Sequence, residues 1–328
     1  MSENPFSAFT PKKEWLVCVD SDGCAMDTMD SKHHQAFCPQ LIRVYGLEEY
    51  AGLITPHWME VNLYSRTRGV NRFKGLAATM RMLAEHGVRV PGADELCTWV
   101  EKAPKPSNPA LEEAVAAGGG AGLQKALEWS RAVNAAIAAM GDDSRPFPGC
   151  REALAAIHVL TDTAVVSSAN SEALAEEWTR HGLVQHMDVV LGQDAGTKEA
   201  CLSALSAKGY APGHVLMVGD ALGDLAAAQH ADALFYPILV GKEKTSWERL
   251  VSEALPRFLA GTFAGAYQEQ LLAEQREILR GMLSCMQIRS RIRCGRRSRR
   301  RSEDARFSRR TMRNITLRRR RSRKLSGI

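Results

Sequence analysis

Four separated places in the chain put side chains able to do chemistry at the end of a short apolar run or the start of a helix. WLVCVDSDGC, residues 15–24, finishes in Asp20 and Asp22. TAVVSS ends in Ser167 and Ser168, GTKEA brings Lys198 near a helix start, and HVLMVGDALGD carries Asp220 and Asp224. Carboxylates that close a buried run are costly to desolvate and repel one another. Together they call for a cation, and oxygen ligands favour a hard one such as Mg²⁺, which keeps positions for water and phosphate oxygens. A lysine, hydroxyls and backbone N–H groups would bind the remaining phosphate oxygens. Taken singly, an Asp at a strand end forms turns and a Ser there caps the next helix. Their joint placement argues for a site.

These residues need a scaffold that gathers them, and the pattern from RPFPGCREALAAIHVL onward supplies one. TAVVSS, MDVVLG, HVLMVG and ALFYPI read as strands, separated by the helical stretches SEALAEEWTRHG, TKEACLSALSAKG and DLAAAQHA. Such alternation predicts a parallel sheet with helices on both faces, with ligands at the carboxyl ends of the strands. The strand before Asp20 would join the same sheet, which makes the stretch from about Met26 to Met140 an insertion. That stretch reads mainly as helices, in DSKHHQAFCPQLIRVYGL, NRFKGLAATMRMLAEHG and LQKALEWSRAVNAAIAAM, with loops at Pro104, Pro106, Pro109 and Gly118 to Gly120. His33 and His34 read as solvated helix residues rather than ligands, since no second His or Cys falls at metal-ligand spacing. Closing helices are expected over residues 246–285, where LLAEQREILRGML is strongly periodic.

DSDG after a buried strand resembles the DxDG signature of the haloacid dehalogenase superfamily. VVSS is similar to that family's second motif, Lys198 to its third and GDALGD to its fourth, GDxxxD; PFPGCREAL resembles the segment leading back from cap to core. The order matches over roughly residues 12 to 240. The resemblance implies an α/β fold with a Rossmann-like parallel sheet core and a large inserted α-helical cap. The corresponding divisions are 12–27 and 145–245 for the core, 28–144 for the cap, 246–287 for closing helices and 288–328 for an Arg-rich tail. It further implies Asp20 as nucleophile, Asp22 as general acid and base, and Ser167, with Ser168 as the alternative, on the phosphoryl group. Lys198 would neutralise charge, and Asp20, Asp220, Asp224 and the backbone carbonyl of Asp22 would hold Mg²⁺. The acid at position 22 implies phosphate-ester chemistry. Cys24 departs from the threonine or valine usual there and places a thiol of possible oxidation sensitivity beside the metal.

The insertion groups Arg66, Arg68, Arg72 and Lys74 in YSRTRGVNRFKG, either an electropositive lid for an anionic substrate or an ordinary solvated helix face. The net charge of +6 averages two unlike parts: residues 288–328 hold 17 Arg and one Lys against Glu303 and Asp304, a net of +16, leaving residues 1–287 at −10. This tail cannot bury an apolar face and is expected to be disordered. It reads either as an arm for nucleic acid or as the product of a shifted reading frame, so a nucleic-acid partner is expected only if the tail is genuine. The eight cysteines show no paired or zinc-like spacing, and 45% hydrophobic content suits a globular chain. No apolar stretch approaches the roughly 18 residues of a membrane span, and no signal-peptide core is present. The expectation is a cytoplasmic Mg²⁺-dependent phosphohydrolase cleaving a small phosphate monoester, with oligomeric state left open. The alternative is a phosphomutase resembling beta-phosphoglucomutase, and the third reading a nucleic-acid-associated protein acting through the tail.

Overall fold

Leu16–Val19 (β1) is the central strand of a five-stranded sheet, and all four of its residues are buried. The structure, a computed structural model, describes residues 6, 9–140 and 144–280; the Arg-rich tail, Cys285 and Cys294 lie outside them. The remaining strands are Asp162–Val166 (β2), Val189–Leu191 (β3), Val215–Gly219 (β4) and Leu234–Pro237 (β5). Their order is β3-β2-β1-β4-β5, and every pairing is parallel. The chain builds outward from β1 through β2 to β3, then returns to lay β4 on the other side. The order therefore reverses between β1 and β4, where such sheets leave a crevice at their carboxyl ends.

Side chains alternate across the sheet with a period of two. Val17, Val19, Val165, Leu216 and Val218 face one layer, which contains Ile157, Trp178 and Trp247. Leu16, Cys18, Ala164, Val166 and Met217 face the other, with Leu202, Leu205 and Ala227. Burial on both faces is why LVCV and VLMVG are continuous apolar runs. All five strands are found where the sequence places them, in the expected α/β class.

In the insertion between β1 and Cys150 the described residues form seven α-helices: Met29–Lys32 (α1), Cys38–Tyr45 (α2), Ala51–Asn62 (α3), Arg72–Glu85 (α4), Ala93–Lys102 (α5), Asn108–Ala116 (α6) and Ala121–Ala139 (α7). The helices α3, α5 and α6 were not resolved individually by the sequence pattern. Pro109 differs from expectation too: it lies in the first turn of α6, where a missing N–H costs nothing, and Ser107 caps that helix through Ala110 N. An aromatic cluster holds the insertion together, with Trp58 edge-on to Trp129 at 5.9 Å and Phe73 edge-on to Trp129 at 6.2 Å and to Trp99 at 5.7 Å.

His33 corrects the expectation of a solvated residue. It sits in a π turn, His33–Phe37, that joins α1 to α2, and its ring is buried against Phe37. Its Nδ1 accepts from Trp58 Nε1 at 2.9 Å, which places the proton of the neutral ring on Nε2. The pattern hides this because His33 is polar by type and buried by packing. His34 is exposed, as expected.

After β1 and its insertion the chain continues through Cys150–Leu160 (α8), Ser171–Arg180 (α9), Lys198–Ser206 (α10) and Leu222–His230 (α11), which cover the two faces of the sheet. Glu243–Arg249 (α12), a π turn and Leu255–Leu259 (α13) follow. Residues 266–280 are helical and form α14. This last helix covers the edge strand: Gln268 Oε1 accepts from Phe235 N at 2.8 Å, while Leu271 joins one core layer and Leu272 the other.

Burial and the nearby Arg68 charge push the His33 pKa from 6.5 down to about 3. The unfolded chain therefore takes up this proton first, and stability falls as pH drops from about 6.5 toward 3, by up to ~1.4 kcal/mol per pH unit. Replacing His33 with Gln removes the ionisable ring and keeps an acceptor for Trp58. Urea titrations across that window are expected to show a shallower pH slope for His33→Gln than for the parent chain.

Candidate active site

The loop after β1 is wound tightly around one carbonyl. Ser21 O accepts from Cys24 N, Ala25 N and Met26 N, and Gly23 permits the turn with φ at +84°. Ser21 Oγ turns into the core, where Trp178 Nε1 donates to it at 2.8 Å. Asp20 and Asp22, on either side of Ser21, are left toward the crevice. Asp20 N donates to Val218 O at 3.0 Å, tying this loop to β4.

The loop after β4 supplies the facing carboxylates. Asp220 follows Gly219, and Asp224 stands at the third position of α11, its Oδ2 accepting from Ala221 N at 3.0 Å. A Cβ on Gly219 would lie 2.5 Å from the Asp224 Cβ, so the glycine of GDALGD is required by this close approach. Lys198 is the first residue of α10, which Thr197 caps through Ala200 N. Its Nζ lies 2.7 Å from Asp20 Oδ1 and 2.5 Å from Asp224 Oδ1.

A second cation arrives from the insertion. Arg68 Nε is 2.5 Å from Asp220 Oδ2, and the two side chains are only 4% and 2% exposed. Three buried carboxylates thus face two cations, a residual negative charge. One oxygen from each of Asp20, Asp220 and Asp224 lies within 4.8 Å of the others, and Asp220 Oδ1 is buried with no hydrogen-bond partner. An all-oxygen set with one lone carboxylate oxygen fits a hard divalent ion such as Mg²⁺. The electrostatics agree. Burial lifts the Asp20 carboxyl well above its usual range, and Asp224 and Asp220 add to the lift against the pull of Lys198. Burial also raises Asp220, against Arg68. Lys198 is raised because its two carboxylates outweigh the opposing effect of burial.

The Asp22 carboxylate stands apart from this cluster. It is half-buried, and its Oδ1 accepts from Lys32 Nζ at 2.6 Å and from Thr28 Oγ1. Burial alone would raise its pKa, but Lys32 and these hydrogen bonds bring it below the usual value. Thr28 and Lys32 were not singled out from sequence. Their spacing of four across the start of α1, with Thr28 at its N-cap six residues after Asp22, is the signal that was there to find.

At the end of β2, Ser167 is buried and its Oγ accepts from Ala169 N at 3.2 Å, whereas Ser168 is exposed. The four basic residues of the insertion are not brought together. Arg66 and Lys74 are exposed, and only Arg68 reaches the carboxylates. Arg72 is tied within the insertion, donating to Asn134 Oδ1 at 2.6 Å and Ser130 Oγ at 3.2 Å over the Phe37 ring. The thiol of Cys24 is fully buried beside Val218 O, and burial raises its pKa. It is held as an unreactive thiol, which corrects the expectation of oxidation sensitivity.

The sheet carries paired carboxylates, a lysine and a hydroxyl together at its carboxyl edge. Residues 98–236 match the family described as haloacid dehalogenase-like hydrolase, a stretch that holds Ser167, Lys198, Asp220 and Asp224 but begins after Asp20 and Asp22. No curated protein matches the chain. Similar solved structures include a predicted phosphoglycolate phosphatase from Haemophilus somnus, 17% identical over 69% of this chain and 86% of that one, with a TM-score of 0.41. L-2-haloacid dehalogenase from Xanthobacter autotrophicus is 18% identical over 78% of this chain and 87% of its own, with a TM-score of 0.36. A haloacid dehalogenase-like hydrolase from Streptococcus pneumoniae is 14% identical over 68% and 83%, with a TM-score of 0.40.

Removing Lys198 would leave Asp20 and Asp224 without their shared cation. Lys198→Met is expected to lose about 3–5 kcal/mol near neutral pH, measured by urea unfolding. The loss should shrink as pH falls, because an uncompensated buried carboxyl takes up a proton.

Proposed function

We propose that the protein is a Mg²⁺-dependent phosphohydrolase that cleaves a small phosphate monoester through an aspartyl-phosphate on Asp20. The observation that carries this reading is the division between two neighbouring carboxylates. Asp20 sits inside the buried cluster with Lys198, while Asp22 is outside it in a different electrostatic setting. Two carboxylates with environments that push them apart can take two roles.

In the first half-reaction an Asp20 oxygen forms a bond to phosphorus as the ester P–O bond breaks, and Asp22 gives its proton to the leaving oxygen. In the second, water attacks the same phosphorus, Asp22 takes the proton, and free Asp20 and phosphate result. With Lys32 at 2.6 Å, Asp22 stands ionised, the form needed to activate water. Donating a proton to the leaving group requires that this pair be given up. Lys198 offsets charge on Asp20, and Ser167, whose Oγ accepts from Ala169 N, keeps its own O–H free to donate to a phosphoryl oxygen. Asp20, Asp220, Asp224 and the Asp22 carbonyl would hold Mg²⁺, which when bound supplies neutralisation of phosphate charge.

The helical insertion, as the cap over residues 28–144, would enclose the substrate. Of its basic side chains Arg68 is the one that reaches the carboxylates, and it would meet an anion bound there. The six described cysteines are free, which suits a reducing compartment, and the cytoplasm is the location we propose. Among the described residues no helix is long and apolar enough to cross a membrane.

The test is phosphate release from sugar phosphates, phosphoglycolate, nucleotides and an aryl phosphate, with and without Mg²⁺. Release that needs Mg²⁺, disappears in Asp20→Asn and slows about 10²–10⁴-fold in Asp22→Asn is expected. Release that persists in Asp20→Asn would sink the aspartyl-phosphate route.

A further inference from the structure

The carboxylate cluster is tied to a residue far along the chain and outside the stretch matched by the family. Gln275 on α14 is 2% exposed, and its Nε2 donates to the backbone oxygen of Asp220 at 3.1 Å. Its Oε1 is buried without any hydrogen-bond partner. The other fully buried side chains of α14 are Leu271, Leu272 and Leu279, so position 275 interrupts a row of leucines at helical spacing. For packing alone an amide is a poor choice there, because half of it is desolvated and unpaired. Its one bond goes to the peptide of the residue that carries the cluster's lone oxygen, Asp220 Oδ1.

The neighbouring main chain is fixed in the same way from the sheet. Gly219 O accepts from Ile238 N at 2.8 Å, and Asp20 N donates to Val218 O at 3.0 Å. Gln275 supplies the next anchor along, on the Asp220 carbonyl itself. We infer that Gln275 is a positioning residue for the cation site: by fixing the Asp220 peptide it fixes where the Asp220 carboxylate stands, and α14 is thereby part of the site. This rests on the reading of Asp220 as a metal ligand.

The experiment compares the full chain with Gln275→Leu and with Leu272→Ala, which removes packing from the same helix without touching the Asp220 peptide. Mn²⁺ serves as the probe, its free fraction read by electron paramagnetic resonance, and thermal melting is followed in parallel. Partners that orient a ligand typically contribute about 10–100-fold to metal affinity, so Gln275→Leu should bind Mn²⁺ at least about tenfold more weakly while melting close to the parent. Leu272→Ala should melt lower and bind Mn²⁺ as the parent does. Unchanged affinity in Gln275→Leu overturns the inference, as does an equal loss in Leu272→Ala, which would make the effect one of helix packing. A parent chain that binds no Mn²⁺ removes the metal reading of Asp220 and the inference with it. If Gln275→Leu does not fold, Gln275→Met, unbranched and of similar length, carries the same comparison.

Discussion

Three carboxylates buried where two adjacent parallel strands end are the constraint around which the molecule is arranged. Asp20 and Asp220 follow β1 and β4, the pair between which the strand order reverses, and Asp224 comes one turn into the next helix. Bringing like charges this close out of water is unfavourable unless cations are fixed beside them. Lys198 meets that demand from the start of α10, spanning Asp20 and Asp224, and Arg68 meets it from the insertion. Neither position can be understood from its own segment. Each is explained by the charge on strands distant in sequence.

The loops that carry the carboxylates are held by polar contacts reaching out of the core. Trp178 donates its indole N–H to the Ser21 hydroxyl, and Trp247 donates to Cys24 O, so two large apolar side chains also hold the loop that carries the two aspartates. Gly219 leaves room for Asp224 to fold back, and Gln275 pins the Asp220 carbonyl. Buried polar groups of this kind are costly unless paired, and once paired they specify one arrangement. The rigidity of the site therefore comes from the same residues that fill the core.

The insertion has a core of its own, built on Phe37, Phe73, Trp58, Trp99 and Trp129. It meets the carboxylates through one buried ion pair, Arg68 with Asp220. Breaking such a pair leaves an unpaired buried charge. Asp22 and Lys32 form a second link, because Lys32 ends α1, the first helix of the insertion. Both aspartates that flank Ser21 are thus coupled to the insertion, one through Asp220 and the cluster, the other directly. The placement of the insertion and the charge state of the site depend on each other.

The sequence by itself determined what depends on nearest neighbours along the chain. Apolar runs ending in Asp20, Ser167 and Asp220, with helices between them, were enough to place the strands and to predict a parallel sheet, since burial on both faces demands continuous apolar residues. Asp20 and Asp220 stand out in the sequence for the same reason, as polar ends of such runs. Tertiary structure alone decided the roles of side chains whose surroundings come from distant segments. Arg68 and Arg72 look alike in YSRTRGVNRFKG, yet one is drawn to Asp220 and the other to Asn134 and Phe37. His33 reads as a solvated polar residue and is buried under Trp58, and Gln275 reads as one polar residue in a periodic helix until its bond to Asp220 is seen. Local propensity records the period of a segment. Which charge or carbonyl waits at the end of a side chain is set by the packing of elements that the segment does not encode.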